Sequence, residues 1–244
     1  MTPKAGLGAF LARNPFPRGW TDGLFYREKM RAIHRVAPNH ASGAILEVGG
    51  GQSGLAARLY PGAPVVTLDI DPALAKRQPE DSPSTFVCGD ARKLPFPDDS
   101  FAIVTMFDLL EHVDDHQAAA TEALRVARPG GHLLVSTPAA DWHYPYYSFM
   151  RPVCPDERDL MTEWGHVRRG YREAELAALF GTPPDASATF INPLTAFFHD
   201  VAFSRLSLGS RHMLYLLASP VVLPAYKLHR PSTRGTETAF AWRV

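Results

Sequence analysis

The stretch ILEVGGGQSGL, residues 45–55, decides the fold, because an apolar run leads into a glycine-rich loop and then into the start of a helix. Gly49, Gly51 and Gly54 have the spacing G-x-G-x-x-G. Glycines between a strand and a helix let the backbone approach a ligand closely at the helix N-terminus. The stretch therefore predicts a ligand site at the end of a strand in an α/β sheet.

Short apolar runs alternate with helix-like segments along most of the chain. This alternation is typical of a parallel sheet with helices on both faces. The Pro-Gly-Gly sequence at 129–131 is expected to end the helix before it. The predicted strands are 44–48, 65–70, 85–90, 100–107, 132–138, 186–192 and 236–244, and the predicted helices are 24–37, 54–60, 72–77, 114–128 and 172–180.

A chain of 244 residues with 45% apolar residues is expected to form one α/β domain around a packed core. Residues 1–22, rich in Pro and Gly, predict an irregular arm. The expected organisation is an N-terminal arm and helix at 1–40, a ligand-binding core at 41–138, a lid and substrate region at 139–181, and an apolar, basic insertion at 194–232.

The formal net charge is zero, but the charges are unevenly distributed. Residues 1–40 carry a net charge of +5, residues 41–193 carry −9, and residues 194–244 carry +4. An acidic middle argues against a nucleic-acid domain with one broad basic face. The basic ends leave room for an anionic partner.

Cysteine usage excludes a disulfide framework, because the chain has only Cys88 and Cys154 and no C-x-x-C pair. Cys88 lies in an apolar strand pattern and is predicted to be core. The run at 5–12 is too short for a secretory signal, and no apolar stretch of 18 residues is present. A reducing, cytoplasmic location is the expectation.

Carboxylates end three successive predicted strands, and they distinguish two classes of cofactor. Glu47, two residues before Gly49, would repel a pyrophosphate but attract the ammonium group of a methionine moiety. Asp69 can accept hydrogen bonds from ribose hydroxyls, as both NAD and S-adenosylmethionine require. Asp90 can accept from an adenine amino group. The three acids favour S-adenosylmethionine over NAD.

At this point the sequence resembles the class I S-adenosylmethionine-dependent methyltransferases, specifically the broad group of ubiquinone- and menaquinone-pathway enzymes. The pieces that carry the resemblance are ILEVGGGQSG, VVTLDID, GDARKLPFPDDSFAIV, DLLEHV and RVARPGGHLLVSTP, in the family's order and spacing across residues 41–138. A weaker similarity extends through 163–180. Gln52 and Ser53 lengthen the family's glycine loop by one residue.

The resemblance implies a Rossmann-like, mostly parallel sheet of seven strands with helices on both faces and an antiparallel last strand. It implies an enzyme that transfers a methyl group from S-adenosylmethionine. The residues expected to contact or line the cofactor site are Glu47, Gly49, Gly50, Gly51, Asp69, Ile70, Asp90, Ala91 and Phe107.

The motif Asp108-Leu-Leu-Glu111-His112 follows the fourth predicted strand, at the sheet edge where ligands bind in such folds. It resembles the acid-x-x-Glu-His motif of ubiquinone-pathway O-methyltransferases and small-RNA 2′-O-methyltransferases, which implies Asp108, Glu111 and His112 as ligands of Mg²⁺ or Mn²⁺, with His166 as a further ligand. A role for His112 in facing or orienting the substrate, and a structural role, remain alternatives.

Catalysis is assigned to Asp108, His112 and His166, since His titrates near neutral pH and can take a proton from an acceptor hydroxyl. His143 is a further candidate base. The expected reaction is methyl transfer to a small-molecule or a glycan- or lipid-linked acceptor, at oxygen. The alternatives are an RNA methyltransferase and a non-catalytic protein that binds S-adenosylmethionine.

Two apolar segments bear on the acceptor. An aromatic cluster follows the strand at 132–138. It is predicted to form either an apolar lid over the substrate or a cap on the sheet edge. Its members are Trp142, His143, Tyr144, Tyr146, Tyr147 and Phe149. Residues 194–232 are read as a core helix pair, as a homodimer interface, or as a patch in peripheral contact with an anionic membrane. Pro220 and Pro224 are expected to break this apolar stretch.

Overall fold

A computed structural model describes residues 1–16, 22–51, 53–77 and 84–244. The part of the predicted arm at 17–21, and Gln52 of the lengthened glycine loop, lie outside the described residues.

Seven strands form one sheet, as predicted. In spatial order they run β5-β4-β3-β6-β7-β9-β8, and β1 pairs with β2 in a separate two-stranded sheet. Strands β3 to β7 are mutually parallel, while β9 is antiparallel to both of its neighbours, so the antiparallel last strand is confirmed. The strands are β1 (Thr2–Pro3), β2 (His40–Ala41), β3 (Ile45–Val48), β4 (Val65–Asp69), β5 (Thr85–Cys88), β6 (Phe101–Phe107), β7 (Ala127–Pro138), β8 (Ala186–Phe190) and β9 (Glu237–Arg243).

The α-helices in the described residues are α1 (Leu7–Ala12), α2 (Asp22–Val36), α3 (Leu55–Leu59), α4 (His116–Val126), α5 (Glu157–Trp164), α6 (Glu173–Phe180), α7 (Ala196–Ala202) and α8 (Leu208–Leu228). The segment Pro72–Arg77 forms a 3₁₀ helix.

Side chains alternate between the two faces of the sheet. Ile45 and Ile103 pack with α2 and α3 on one face, while Leu46 and Val104 pack with α4 and α6 on the other. This is the period of two that a strand covered on both faces requires. The predicted covering of both faces by helices is therefore confirmed.

Three local predictions are wrong. The arm at 1–22 is not wholly irregular, because it contains β1 and α1, and Phe10 of α1 is fully buried against α2. The helix predicted to run to residue 128 ends at Val126, before the Pro-Gly-Gly sequence, since β7 already begins at Ala127. Cys88 is exposed rather than core, because β5 is an edge strand of the sheet.

Pro220 and Pro224 also fail to break their segment, which forms the single helix α8. Proline lacks the N–H that would bond to the carbonyl four residues earlier. For Pro220 that carbonyl belongs to Leu216, and the hydroxyl of Ser219 donates to it at 2.9 Å instead. The substitute donor explains how the helix continues through this position.

A third apolar cluster covers the carboxyl end of the sheet, and it joins the aromatic residues after β7 to α5, α7 and α8. Trp142 and Tyr144 are buried in it, together with Phe198 and Tyr215. The buried Asp200 carboxylate of α7 accepts hydrogen bonds from the backbone N–H groups of Tyr146 and Tyr147, each at 2.8 Å. These contacts fix the cluster as a cap above the strand ends that hold the site.

Candidate active site

A cavity of about 400 Å³ opens at the carboxyl ends of β3, β4 and β6. Of the nine predicted cofactor residues, five line it, namely Gly49, Asp69, Ile70, Asp90 and Ala91. Arg92 and the segment 112–114 also line it, and Arg92 and residues 113–114 were not predicted from the sequence to contact the cofactor.

The glycine loop is tightly packed around its turn. Gly49 has a φ of +69°, and a Cβ atom there would lie 2.6 Å from Cδ1 of Leu109. A Cβ at Gly50 would lie 2.7 Å from Cγ of Glu47. Both the left-handed backbone at Gly49 and the close approach at Gly50 therefore require glycine.

The Asp69 carboxylate stands beside this loop at the end of β4. One oxygen accepts from the backbone N–H of Gly51 at 3.2 Å, and the other accepts from the N–H of Asp71 at 3.1 Å. Asp69 is held in place by the backbone while it lines the cavity. The geometry suits an acceptor for ribose hydroxyls, and that role stays a prediction.

Glu47 lies behind the loop and does not line the cavity. Its side chain is buried, and Oε1 accepts from the N–H of Ala56 in the first turn of α3 at 3.1 Å. Burial raises the pKa of Glu47 to about 7, and the hydrogen bonds at the start of α3 oppose that rise. In this structure Glu47 joins β3 to α3, and its contact with a methionine ammonium group stays a prediction.

Phe107, Gly50 and Gly51 also do not form part of the cavity wall. Phe107 is instead buried in the core on the face covered by α2 and α3. The strand alternation explains this correction, because the last residue of β6 points away from the cavity-lining residue that follows it, Asp108.

Asp90 reaches the cavity with its carboxylate already paired. The guanidinium of Arg92 donates to both of its oxygens, at 2.7–3.0 Å, and these bonds hold the pKa of Asp90 below its ordinary value. Both side chains are exposed, so the pair is weak and an adenine amino group can compete for the carboxylate.

A second cavity, of about 330 Å³, lies next to the first beneath the aromatic cap. Asp108 and His112 line both cavities, so the two spaces meet at these residues. The remaining wall residues of the second cavity are Glu111, Pro138, Trp142, Trp164, His166, His199 and Glu237. His143 lies elsewhere, where its ring stacks on Tyr146.

Asp108 has a partner that the sequence analysis missed. Nζ of Lys29, from α2, lies 2.5 Å from Oδ2 of Asp108, and the Ser136 hydroxyl donates to Oδ1 at 2.6 Å. Burial alone would raise the pKa of Asp108, but the charge and hydrogen bond of Lys29, with the Ser136 bond, lower it below its ordinary value. Asp108 is therefore an ionised, fully engaged carboxylate.

Three of the four residues predicted as metal ligands converge, while Asp108 pairs with Lys29. One potential ligand atom from each of Glu111, His112 and His166 lies within 4.8 Å of the others, and metal binding there stays a prediction. Oε1 of Glu111 and Nδ1 of His166 are buried and have no hydrogen-bond partner among the described residues. The donor set of one carboxylate and two imidazoles is suited to a divalent cation.

Backbone contacts bring the two histidines together across the chain. Gly165 ends α5 in a left-handed conformation, and its carbonyl lies 3.2 Å from Nδ1 of His112. The N–H groups of Val167 and Arg168 both point to the carbonyl of Glu111. The imidazole rings of His112 and His166 meet edge to face at 4.6 Å.

Arg168 fixes the loop that carries Glu111 and His112. Its guanidinium donates to the carbonyls of Leu110, Val113 and Asp114 at 2.6–3.0 Å. The guanidinium of Arg168 is therefore not solvated, because its N–H groups donate to these backbone carbonyls. Arg169 is exposed and pairs with Glu157.

The second cavity holds three carboxyl groups with contrasting protonation. Burial, followed by repulsion from Asp108, raises the pKa of Glu237 to about 8 and raises that of Glu111 well above its ordinary value. Burial and the neighbouring His112 lower the pKa of His166 to about 4. At neutral pH the cavity therefore presents an ionised Asp108 and an uncharged His166, and burial favours the protonated forms of Glu111 and Glu237.

Known proteins match mainly the part of the chain that carries the glycine loop and the strands β3 to β7. Residues 46–135 match the family described as "Methyltransferase domain". The chain is 36% identical over 135 residues to the 2-methyl-6-phytyl-1,4-hydroquinone methyltransferase of Synechocystis sp., a match covering 50% of this chain and 40% of that protein. It is 32% identical over 163 residues to the ubiquinone/menaquinone biosynthesis C-methyltransferase UbiE of Dinoroseobacter shibae, covering 58% and 62% respectively.

The chain thus spans about half the length of the curated relatives it matches. Among solved structures, a SAM-dependent methyltransferase of Thermotoga maritima superimposes with a TM-score of 0.55 at 17% identity, covering 89% of this chain and 88% of that one. That likeness shows the fold, and the family match lies on the glycine loop and the strands β3 to β7. The chain therefore carries a class I S-adenosylmethionine-dependent methyltransferase domain, similar to those of the ubiquinone- and menaquinone-pathway enzymes.

Proposed function

We propose that this protein transfers a methyl group from S-adenosylmethionine to a small hydroxylated aromatic acceptor of the quinol type. The observation that carries the proposal is the meeting of two cavities at Asp108 and His112. One cavity is lined by Gly49 of the glycine loop and the carboxylates at the strand ends, and the other is walled by aromatic rings and histidines. Methyl transfer depends mainly on holding two reactants next to each other.

The residues present fit the cofactor. Gly49 lines the cavity without a side chain, Asp69 offers a fixed carboxylate for hydroxyl groups, and Asp90 offers a second acceptor at the next strand end. When bound, S-adenosylmethionine supplies an electrophilic methyl group attached to a sulfonium. Asp108 lies at the junction of the cavities, where Lys29 and Ser136 keep its carboxylate ionised and Lys29 balances its charge.

The second cavity favours an aromatic acceptor over a nucleic acid. The rings of Trp142 and Trp164 lie 5.9 Å apart and offer flat apolar walls. Asp108, Glu111 and Glu237 line the same space, so phosphate groups would meet carboxyl groups rather than cations. The relatives that act on quinones and hydroquinones, by their names, support the same acceptor class.

His166 is proposed to accept the proton of the acceptor hydroxyl. Its Nδ1 is buried and unpartnered in the described structure, and the low pKa of its imidazole keeps it uncharged at neutral pH. Removal of the proton makes an aromatic hydroxyl nucleophilic at oxygen and also at ring carbons. Oxygen remains the expected atom, while the names of the relatives include a C-methyltransferase, so analysis of the product by NMR is needed to assign it.

A metal-assisted reaction is a second candidate, since Glu111, His112 and His166 converge. Mg²⁺ or Mn²⁺ held there would bind and orient acceptor oxygens, and His166 would then act as a ligand instead of a base. The two candidates differ in their response to chelators.

Transfer of radiolabelled methyl from S-adenosylmethionine to a panel of catechols and hydroquinones, with short RNA as a comparison, tests the proposed function. Label in an aromatic product supports the proposal. Label in RNA favours the RNA alternative, and binding of S-adenosylmethionine without turnover on any acceptor favours a non-catalytic protein.

A further inference from the structure

Helix α8 exposes a continuous apolar face. Six large apolar side chains on α8 are between 56% and 77% exposed, and they are Leu208, Met213, Leu216, Leu217, Val221 and Leu228. Pro220 and Pro224 are exposed between them, at the same helical spacing of three to four residues. A single exposed leucine is ordinary, but a stripe along most of a 21-residue helix marks an interaction surface.

The opposite side of α8 joins it to the rest of the protein. Tyr215, Ser219 and Val222 are buried, and the ring of Tyr215 lies 4.9 Å from that of Phe198 in α7. His199, the next residue of α7, lines the second cavity. Helix α7 therefore lies between the apolar face of α8 and the proposed acceptor cavity.

The charged residues of the segment that carries this face all have one sign. Between residues 201 and 236 the sequence contains no Asp or Glu, and its basic residues are Arg205, Arg211, Lys227, Arg230 and Arg234. Arg211 donates to backbone carbonyls near the start of α8, whereas Arg205, Lys227 and Arg230 are exposed. The combination of apolar side chains and exposed cations matches an anionic lipid headgroup layer.

A second copy of the chain would fit this face less well. A two-fold symmetric contact puts the same surface on both subunits. Whether two α8 helices ran parallel or antiparallel, their terminal cations would face the partner's cations, with no acid of residues 201–236 to pair with them. Spanning is also excluded within the described ranges, where no helix is long and apolar enough to cross a bilayer.

We propose that the apolar face of α8 docks this protein onto the surface of an anionic lipid bilayer, with the helix lying in the plane of the headgroups. The evidence for the docking surface is the apolar face of α8 and the cations beside it. Its use, which is to present the acceptor cavity to lipid-soluble acceptors, rests on the proposed function.

Vesicle co-sedimentation of the whole protein tests the proposal. The probes are phosphatidylcholine vesicles with and without phosphatidylglycerol, at low and high salt. The wild type is expected to bind only the anionic vesicles and to be released as salt rises, because the charge attraction is screened. Leu216→Glu/Leu217→Glu and Lys227→Glu/Arg230→Glu should each weaken binding by at least about ten-fold.

The matched control for the charge variant is Lys76→Glu/Arg243→Glu, which makes the same change in net charge at two exposed cations away from α8, and it should bind as the wild type does. Unchanged circular dichroism and melting temperature show that each variant is folded. Wild type that stays in the supernatant, or that binds neutral vesicles equally, overturns the proposal. So does a wild-type dimer in light scattering that Leu216→Glu/Leu217→Glu turns into a monomer.

Calorimetry with S-adenosylhomocysteine on the same samples separates the two proposals. Retained binding in the α8 variants, together with lost vesicle binding, is the expected result. A wild type that docks on anionic vesicles but binds no S-adenosylhomocysteine would contradict the proposed function, while the docking proposal would still be supported.

Discussion

The ammonium group of Lys29 lies 2.5 Å from Oδ2 of Asp108, although 79 residues separate the two in the sequence. The pair links α2 to the end of β6 at the junction of the two cavities. Lys29 has only 10% of its side chain exposed and Asp108 has 31%. Asp108 therefore owes its ionised state to a residue far from any recognised motif.

Replacing Lys29 by Met should destabilise the protein, because Asp108 would lose its countercharge. Loss of one partner of a fully buried pair costs about 3–5 kcal/mol, and the partial exposure of Asp108 reduces this to about 1–3 kcal/mol. Urea unfolding measures the change. Lys76→Met, at an exposed position, is the control and should leave the free energy of unfolding unchanged.

The same pair predicts a pH dependence. The native pKa of Asp108 is lower than the ordinary value of 3.8, so its ionised form is favoured by folding. This contribution to stability is present above pH 3.8 and is lost as the pH falls through the lower native pKa. The difference in unfolding free energy between wild type and Lys29→Met should therefore shrink in acid. A difference that is constant across this range would contradict the assignment.

Replacing His166 by Ala should lower kcat by about 10²- to 10⁴-fold if its imidazole takes the acceptor proton. A base with a pKa of about 4 is uncharged at neutral pH, so the wild-type rate should stay level as the pH falls and drop only as it approaches 4. His143→Ala, outside the second cavity, should keep its rate. Full activity in His166→Ala would contradict the proposal that His166 accepts the proton.

Activity is expected to survive EDTA, because His166, which is uncharged at neutral pH, is proposed to take the acceptor proton without a metal. Rate assays before and after chelation check this. Loss of activity with EDTA and its return with Mg²⁺ or Mn²⁺ would establish the metal candidate instead. In that case Glu111→Gln should also weaken binding of Mn²⁺, as measured by electron paramagnetic resonance.

The strands, the glycine loop and the covering of both faces could be predicted, because each is encoded over a few consecutive residues. The apolar run at 45–48 and the glycines after it are local signals, and so is the acid at the end of each parallel strand. The predicted sheet and its antiparallel last strand agree with the structure for this reason.

The walls of the second cavity could not be predicted in the same way. The wall residues His199 and Glu237 come from α7 and the start of β9, and Lys29, which contacts Asp108, comes from α2. Only the packing of these elements brings the three residues to the strand ends. Lys29 carried one faint signal, as a charged residue beside the apolar Met30 on a helix expected to pack on the sheet. Asp108 was predicted to bind a metal because its spacing matched a motif. Its partner in the structure is Lys29, which no local sequence pattern could indicate because 79 residues separate the two.

Titration calorimetry with S-adenosylhomocysteine tests the central claim, that this protein binds the cofactor at the strand ends, most directly. We expect the wild type to bind, and Asp69→Ala to bind about ten- to a hundred-fold more weakly, since that variant loses a charge-assisted acceptor for hydroxyl groups. Asp71→Ala, whose exposed carboxylate accepts from the N–H of Ala73, is the matched control and should bind as the wild type does. Equal affinity in the wild type and Asp69→Ala, or binding of NAD in place of S-adenosylhomocysteine, would show that the strand ends do not hold this cofactor as proposed.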